Sequence, residues 1–145
     1  MAKEPVVSFR DLDAWKLSME LSVTGYTLAK RLPAEERFEL SAHIRQACVS
    51  IPANVAEGHA TRMPKRCANH VRTSLGSLAE LETELELCQR LGYLTDEDLL
   101  SISRQINRVG QLLHGLLRAK EAQALKSGVV LLALLLALTV AAVLR

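Results

Sequence analysis

Residues 127–144 read SGVVLLALLLALTVAAVL and carry no charge, in a chain of 145 residues of which 23% are charged. Such a run cannot face water, so whatever the rest folds into must leave it a neighbour of lipid or protein. As a helix it extends about 27 Å at ~1.5 Å per residue, close to the ~30 Å hydrocarbon thickness of a bilayer. Its apolar side chains wrap the whole circumference, which marks a helix covered on all sides. Ala133, Ala137 and Ala141 recur at every fourth position, a small-residue row that lets helices approach closely in membranes and in soluble bundles alike. The flanking charges are Lys126 and Arg145, and no Trp or Tyr forms an interfacial belt. That weakens a membrane anchor without deciding between lipid and protein.

The remainder has the size of one domain. Lys and Arg number 18 against 16 Asp and Glu, and a net charge of +2 does not by itself announce a nucleic-acid or acidic partner. Aromatics are 3% and prolines four, while Leu, Ala, Glu and Arg dominate, a composition of helices rather than sheets. The three cysteines are odd in number and none has CxxC spacing, and the N-terminus lacks a basic flank joined to an apolar run. A reducing, cytoplasmic setting is expected, the alternative being anchorage in a membrane through residues 128–144.

Residues 1–8 read as a flexible arm, with Ser8 a candidate N-cap. Leu12, Trp15, Met19, Val23 and Tyr26 alternate steps of three and four, which predicts a first helix burying that face and ending at Pro33. Phe38, Leu40, Ile44, Cys48, Ile51 and Val55 predict a second, stopping near Gly58. Pro52 lies inside it, removes one backbone hydrogen bond and predicts a kink, with Asn54 or Ser50 placed to satisfy the freed carbonyl. Pro64 suits the first turn of a third helix, whose seam is Cys67, Val71, Leu75, Leu78, Leu81, Leu85 and Cys88. Thr95 then reads as the N-cap of a fourth, with Asp96, Glu97 and Asp98 favouring its dipole. Its seam of Leu99, Ile102, Ile106, Val109, Leu113 and Leu116 meets no strong break before the apolar tail, so helix four is expected to run on. The expected fold is all-α: an antiparallel up-down-up-down four-helix bundle over residues 9–124, with residues 125–145 as an apolar C-terminal extension.

Three words of sequence carry a resemblance: FRDLDAW opening helix one, SIPANVAEG across Pro52, and TSLGSLAELETEL in helix three. Together, over residues 9–117, they resemble the four-helix-bundle family encoded in intervening sequences of bacterial large-subunit ribosomal RNA genes. The resemblance implies a homopentamer without catalytic activity. Accessory proteins of diversity-generating retroelements are similar, and they work by binding a reverse transcriptase and nucleic acid through a basic surface. The tail departs from this pattern and looks like an added interface, of the kind an engineered assembly component would carry. Its candidate contacts are Val130, Leu131, Ala133, Leu134, Ala137, Leu138 and Ala141.

Between His59 and Arg72 the chain holds Arg62, Lys65, Arg66 and Arg72 and no acid. Cations at a helix N-terminus oppose the macrodipole, so Lys65 and Arg66 do not serve helix three. Arg104 and Arg108 stand one turn apart on helix four. Repeated in a ring, the six make a candidate surface for RNA or DNA phosphates. The plainer reading is a solvated face, since no aromatics interleave for base stacking. Glu80, Glu82, Glu84 and Glu86 spread around helix three, and some are expected to meet arginines such as Arg45 or Arg72 across helices or subunits. Cys67 and His70 share a helix face, but two further zinc ligands are missing. Neither His43 nor His114 has an acid or nucleophile near it in sequence, and no phosphate loop is present. The expectation is a non-enzymatic, self-assembling protein without metal or cofactor, in a homopentamer or larger particle; nucleic-acid binding and a membrane-anchored oligomer are the alternatives.

Overall fold

Helix boundaries follow local chemistry in the computed structural model, which describes residues 7–143, excepting the side chains of residues 137 and 140–143. Ser8 caps a short 3-10 turn, Phe9–Asp11, and Asp11 accepts the Ser8 N–H at 2.7 Å in return. Four helices follow: α1 Asp13–Ala29, α2 Leu40–Ala60, α3 Pro64–Arg90 and α4 Asp96–Val143. Pro64 occupies the first turn of α3. Gly92, at φ 78°, closes α3 in a left-handed turn that favours glycine. The Thr95 hydroxyl accepts the Asp98 N–H at 3.2 Å, and the Asp98 carboxylate accepts the Thr95 N–H at 3.0 Å, which caps α4. No strand occurs among the described residues. α2 packs between α1 and α3, α3 on α4, and α4 on α1, closing a four-helix bundle.

The seams read from α2, α3 and α4 form the core. Ile44, Cys48, Ile51 and Val55 meet Val71, Leu81, Leu85 and Cys88, with Ile102, Val109 and Leu113 completing it. Two expectations for α2 change. Phe38 belongs to a separate 3-10 turn, Ala34–Phe38, and is exposed, with the Arg37 guanidinium 5.4 Å from its ring centre. Gly58 does not stop α2, which runs to Ala60; instead Gly58 is buried where an added Cβ would lie 3.3 Å from the Cys67 carbonyl oxygen.

The larger correction concerns α1. Only part of its apolar stripe faces the core: Trp15 and Tyr26 are half-buried and pack against the core's rim, whereas Met19 is 41% and Val23 66% exposed. The buried face carries Ala14, Ser18, Leu21, Ser22, Gly25 and Leu28. The cause lies in α2. Pro52 has no N–H, so the Cys48 carbonyl one turn earlier loses its partner within the helix. The Ser22 hydroxyl reaches that carbonyl at 2.6 Å from across the α1–α2 contact and shares its one proton with the Ser18 carbonyl of its own helix at 2.8 Å, a role the sequence had suggested for Asn54 or Ser50. Asn54 instead donates to the Ser50 carbonyl at 3.0 Å. α2 is therefore continuous through Pro52.

A hydroxyl reaches a carbonyl in the next helix only at close approach, and Gly25 allows it: a Cβ there would collide with the Cys48 sulfur. Small residues and serines thus line the inner face of α1 because bulk would push α2 away. The same device recurs, with Ser41 donating to the Ala29 carbonyl at 3.0 Å and Ser74 to the Ile51 carbonyl at 2.6 Å. Ser22→Ala leaves the Cys48 carbonyl without a donor and is expected to cost about 1–3 kcal/mol. In a Pro52→Ala background the restored N–H serves that carbonyl, so the cost of Ser22→Ala shrinks. Denaturant unfolding of the double-mutant cycle checks this, and an equal cost in both backgrounds contradicts it.

Candidate functional site: the basic end and the projecting helix

The turn between α2 and α3 is held by Thr61, whose hydroxyl donates to the Gly58 carbonyl at 2.8 Å, and by Arg62, at a φ of 52° that side-chain-bearing residues seldom adopt. Arg62, Lys65 and Arg66 are exposed there, and among the described residues none forms an ion pair. Met63 at the N-cap of α3 offers no side-chain hydrogen bond. α4 passes this end on its way out: Lys120 and Gln123 share a cavity of about 260 Å³ with His59, Arg62 and Cys67.

The six cations named from sequence do not form one patch. Arg72 is paired with Glu121 of α4 at 2.5 Å and donates to Asn69 at 2.8 Å, so its charge is largely answered. Arg104 and Arg108 are exposed, but Arg108 lies 13 residues before Glu121 on the same helix, about 20 Å away along the axis at ~1.5 Å per residue. Arg62, Lys65 and Arg66 remain together. Sequence reasoning passed over Lys120, which joins Arg62 from α4, and left Lys126, about 9 Å further along the same helix at ~1.5 Å per residue, outside the basic set. Counting the helical rise from the Thr95 cap, against α3 running the other way, would have found both.

Beyond Leu117 α4 leaves the core. Leu125 is 71% exposed, and every described Val and Leu from there to Leu138 is more than half exposed. Of the assembly contacts named from sequence, Val130, Leu131, Ala133, Leu134 and Leu138 are exposed, whereas the side chains of Ala137 and Ala141 lie outside the described residues. Among the described residues no helix is long and apolar enough to cross a membrane. The segment 128–144 extends past them.

A second surface lies on α1 and α2. Trp15, Met19, Val23 and Tyr26 line an open groove of about 620 Å³ with Phe9, Val49 and Pro52. Phe9 meets Trp15 edge-on, ring centres 5.2 Å apart, and so extends the apolar surface across the start of α1.

Residues 10–115 match the family model described as 23S rRNA-intervening sequence protein. The chain belongs to that family. The matched part contains the α1–α2 contact, the groove and the α2–α3 turn, and stops before the projecting half of α4 and its lysines. No curated protein matches the chain.

Other polar clusters are structural. His70 contacts Asn54 at 3.2 Å and Glu57 at 3.5 Å, both on α2, while Cys67 is buried. Among the described residues no three metal-binding side chains converge. Burial pushes the Cys48 thiol up to about 12 and that of Cys88 up to about 11, which keeps both protonated as core residues. Arg45 donates to the Arg37 carbonyl at 2.9 Å, and Glu86 pairs with Arg90 on its own helix. His43 does acquire an acid, Glu84, at 3.8 Å.

Glu84 is part-buried, and one carboxylate oxygen has no hydrogen-bond partner. Burial raises its pKa above the ordinary value, with His43 opposing and Glu80 reinforcing the shift. A raised acid pKa means that ionisation is harder in the folded chain. The penalty is absent below the unfolded pKa of about 4.3 and grows as pH rises through the folded value. Glu84→Gln should therefore raise the melting temperature at pH 7 and leave it unchanged near pH 4. Thermal unfolding at the two values checks this, and a destabilised variant at pH 7 contradicts it.

Proposed function

We propose that the protein is a non-catalytic bundle that assembles with copies of itself through the α1–α2 face, in a homopentamer as the family resemblance implies. The observation that carries this reading is the outward apolar stripe of α1. Monomeric proteins scatter single apolar side chains over their surfaces, but a contiguous patch across two helices, centred on aromatic and Met side chains, has the composition of an interface core. Trp15 and Tyr26 are of the side-chain types that dominate binding energy when desolvated, and Met, as at Met19, is enriched at interfaces. The same regular spacing that suggests a buried face from sequence is explained if that face is buried between copies.

Closed cyclic assemblies use one interface repeatedly and place equivalent ends of all subunits on one side. Ring formation through α1 and α2 would thus gather the projecting helices together. Contacts among them through Val130, Leu131, Ala133, Leu134 and Leu138 would cover the side of each helix facing its neighbours.

Met19→Glu combined with Val23→Glu places two charges at the centre of the proposed contact. Native mass spectrometry from a non-ionic detergent should count several chains for the wild type and the 16.0 kDa single chain for the variant. The helix content should stay the same, because both side chains are exposed in the single subunit, while the melting temperature falls with the loss of the assembly. A wild type of one chain, or a variant retaining the wild-type count, would overturn the reading.

A further inference from the structure

The projecting part of α4 is apolar on every side. Val130, Leu131 and Leu132, at successive steps of about 100°, are each close to 60% exposed, and Leu134, Leu135 and Leu136 repeat the sweep. Packing between helices covers a stripe, the side that meets the partner, and leaves the opposite side in water. Leucines on all sides therefore exceed what contacts between copies would cover, whereas lipid covers a helix completely.

The charges at the base of this helix are of one sign. Arg62, Lys65 and Arg66 stand exposed at the end of the bundle from which α4 leaves, and Lys120 and Lys126 stand on α4 itself. No acid occurs between Glu57 and Glu80, or anywhere after Glu121, and Glu121 is occupied by Arg72. Lys126 immediately precedes the uncharged run. A cationic collar at the root of an all-round apolar helix matches the layering of a bilayer, anionic headgroups above hydrocarbon.

We propose that this end of the bundle docks on an anionic lipid bilayer, with α4 beyond Ser127 in the hydrocarbon and Arg62, Lys65, Arg66, Lys120 and Lys126 against the headgroup phosphates. Insertion does not require a crossing. Residues 128–143 extend about 24 Å as a helix, less than the ~30 Å hydrocarbon thickness, so the helix can end inside the bilayer. Nucleic-acid phosphates would account for the cations but not for the leucines beside them.

The test is flotation of the full chain with vesicles of phosphatidylcholine, and of phosphatidylcholine with 30% phosphatidylserine, at low and high salt. Binding to the anionic vesicles should exceed binding to the neutral ones by more than a hundredfold, and high salt should remove the difference. The triple variant Lys65→Gln, Arg66→Gln and Lys126→Gln should lose roughly a hundredfold on anionic vesicles, about fivefold per cation, and nothing on neutral ones. The charge-keeping variant Lys65→Arg, Arg66→Lys and Lys126→Arg should bind as the wild type does, which separates charge from folding. Equal affinity for both vesicles, or an unaffected triple variant, overturns the proposal. So does a duplex RNA that binds the full chain and loses the triple variant while neither vesicle floats the protein. Flotation does not depend on the number of chains, so a single chain that floats sinks the ring and leaves the lipid surface standing.

Discussion

Pro52 leaves one carbonyl of α2 without a partner, and the hydroxyl of Ser22 supplies the missing donor from α1. A buried carbonyl without a hydrogen bond costs about 1–3 kcal/mol, so this contact selects the rotation of α1 about its own axis. Gly25, one turn further on, allows the backbones to approach and gives up a side chain to do so. A helix has a fixed angular relation among its residues. Once Ser22 and Gly25 face α2, Met19 and Val23 turn outward, while Trp15 and Tyr26, close in angle to Ser22, stay half-buried at the rim of the core.

The surface chemistry follows from that rotation. α1 carries two faces able to be buried, a small-residue face used inside the subunit and a large apolar face left outside it. The inner face sets its leucines, Leu21 and Leu28, among serines, alanine and glycine, and so combines apolar burial with hydrogen bonds and close backbone approach. The outer face has the area, and a neighbouring copy is the reading that gives it cover. At the far end of the molecule the same separation recurs along α4. Its first half contributes Ile102, Ile106, Val109 and Leu113 to the core, while its second half presents leucines with no protein beside them.

The sequence made α2, α3 and α4 legible because their buried positions are Leu, Ile and Val at helical spacing, and because Thr95, Pro64 and Gly92 mark their ends by local chemistry. α1 was legible as a helix but not in its orientation. Periodicity reports that a face is apolar, and the regular run of Trp, Met, Val and Tyr stands out over a face where Leu21 and Leu28 alternate with Ala, Ser and Gly. It has no knowledge of a carbonyl orphaned in another helix. The pairing of Ser22 with Pro52 is a contact across 30 residues of sequence, and neither residue signals it alone. The basic surface was half legible for a related reason: composition located Arg62, Lys65 and Arg66, but only the antiparallel rise of α4 separates them from Arg108 and brings in Lys120 and Lys126.

The orientation of α1 and its cover by a second copy are tested most directly by the chain's single tryptophan. Trp15 is half-buried in the isolated subunit and would be enclosed in the assembled one. Acrylamide quenching of its fluorescence should be weak in the native particle and several-fold stronger in the Val23→Glu protein at unchanged helix content. Equal quenching in the two would contradict the account, since Trp15 would then lie in the same surroundings whether or not the α1–α2 face is covered.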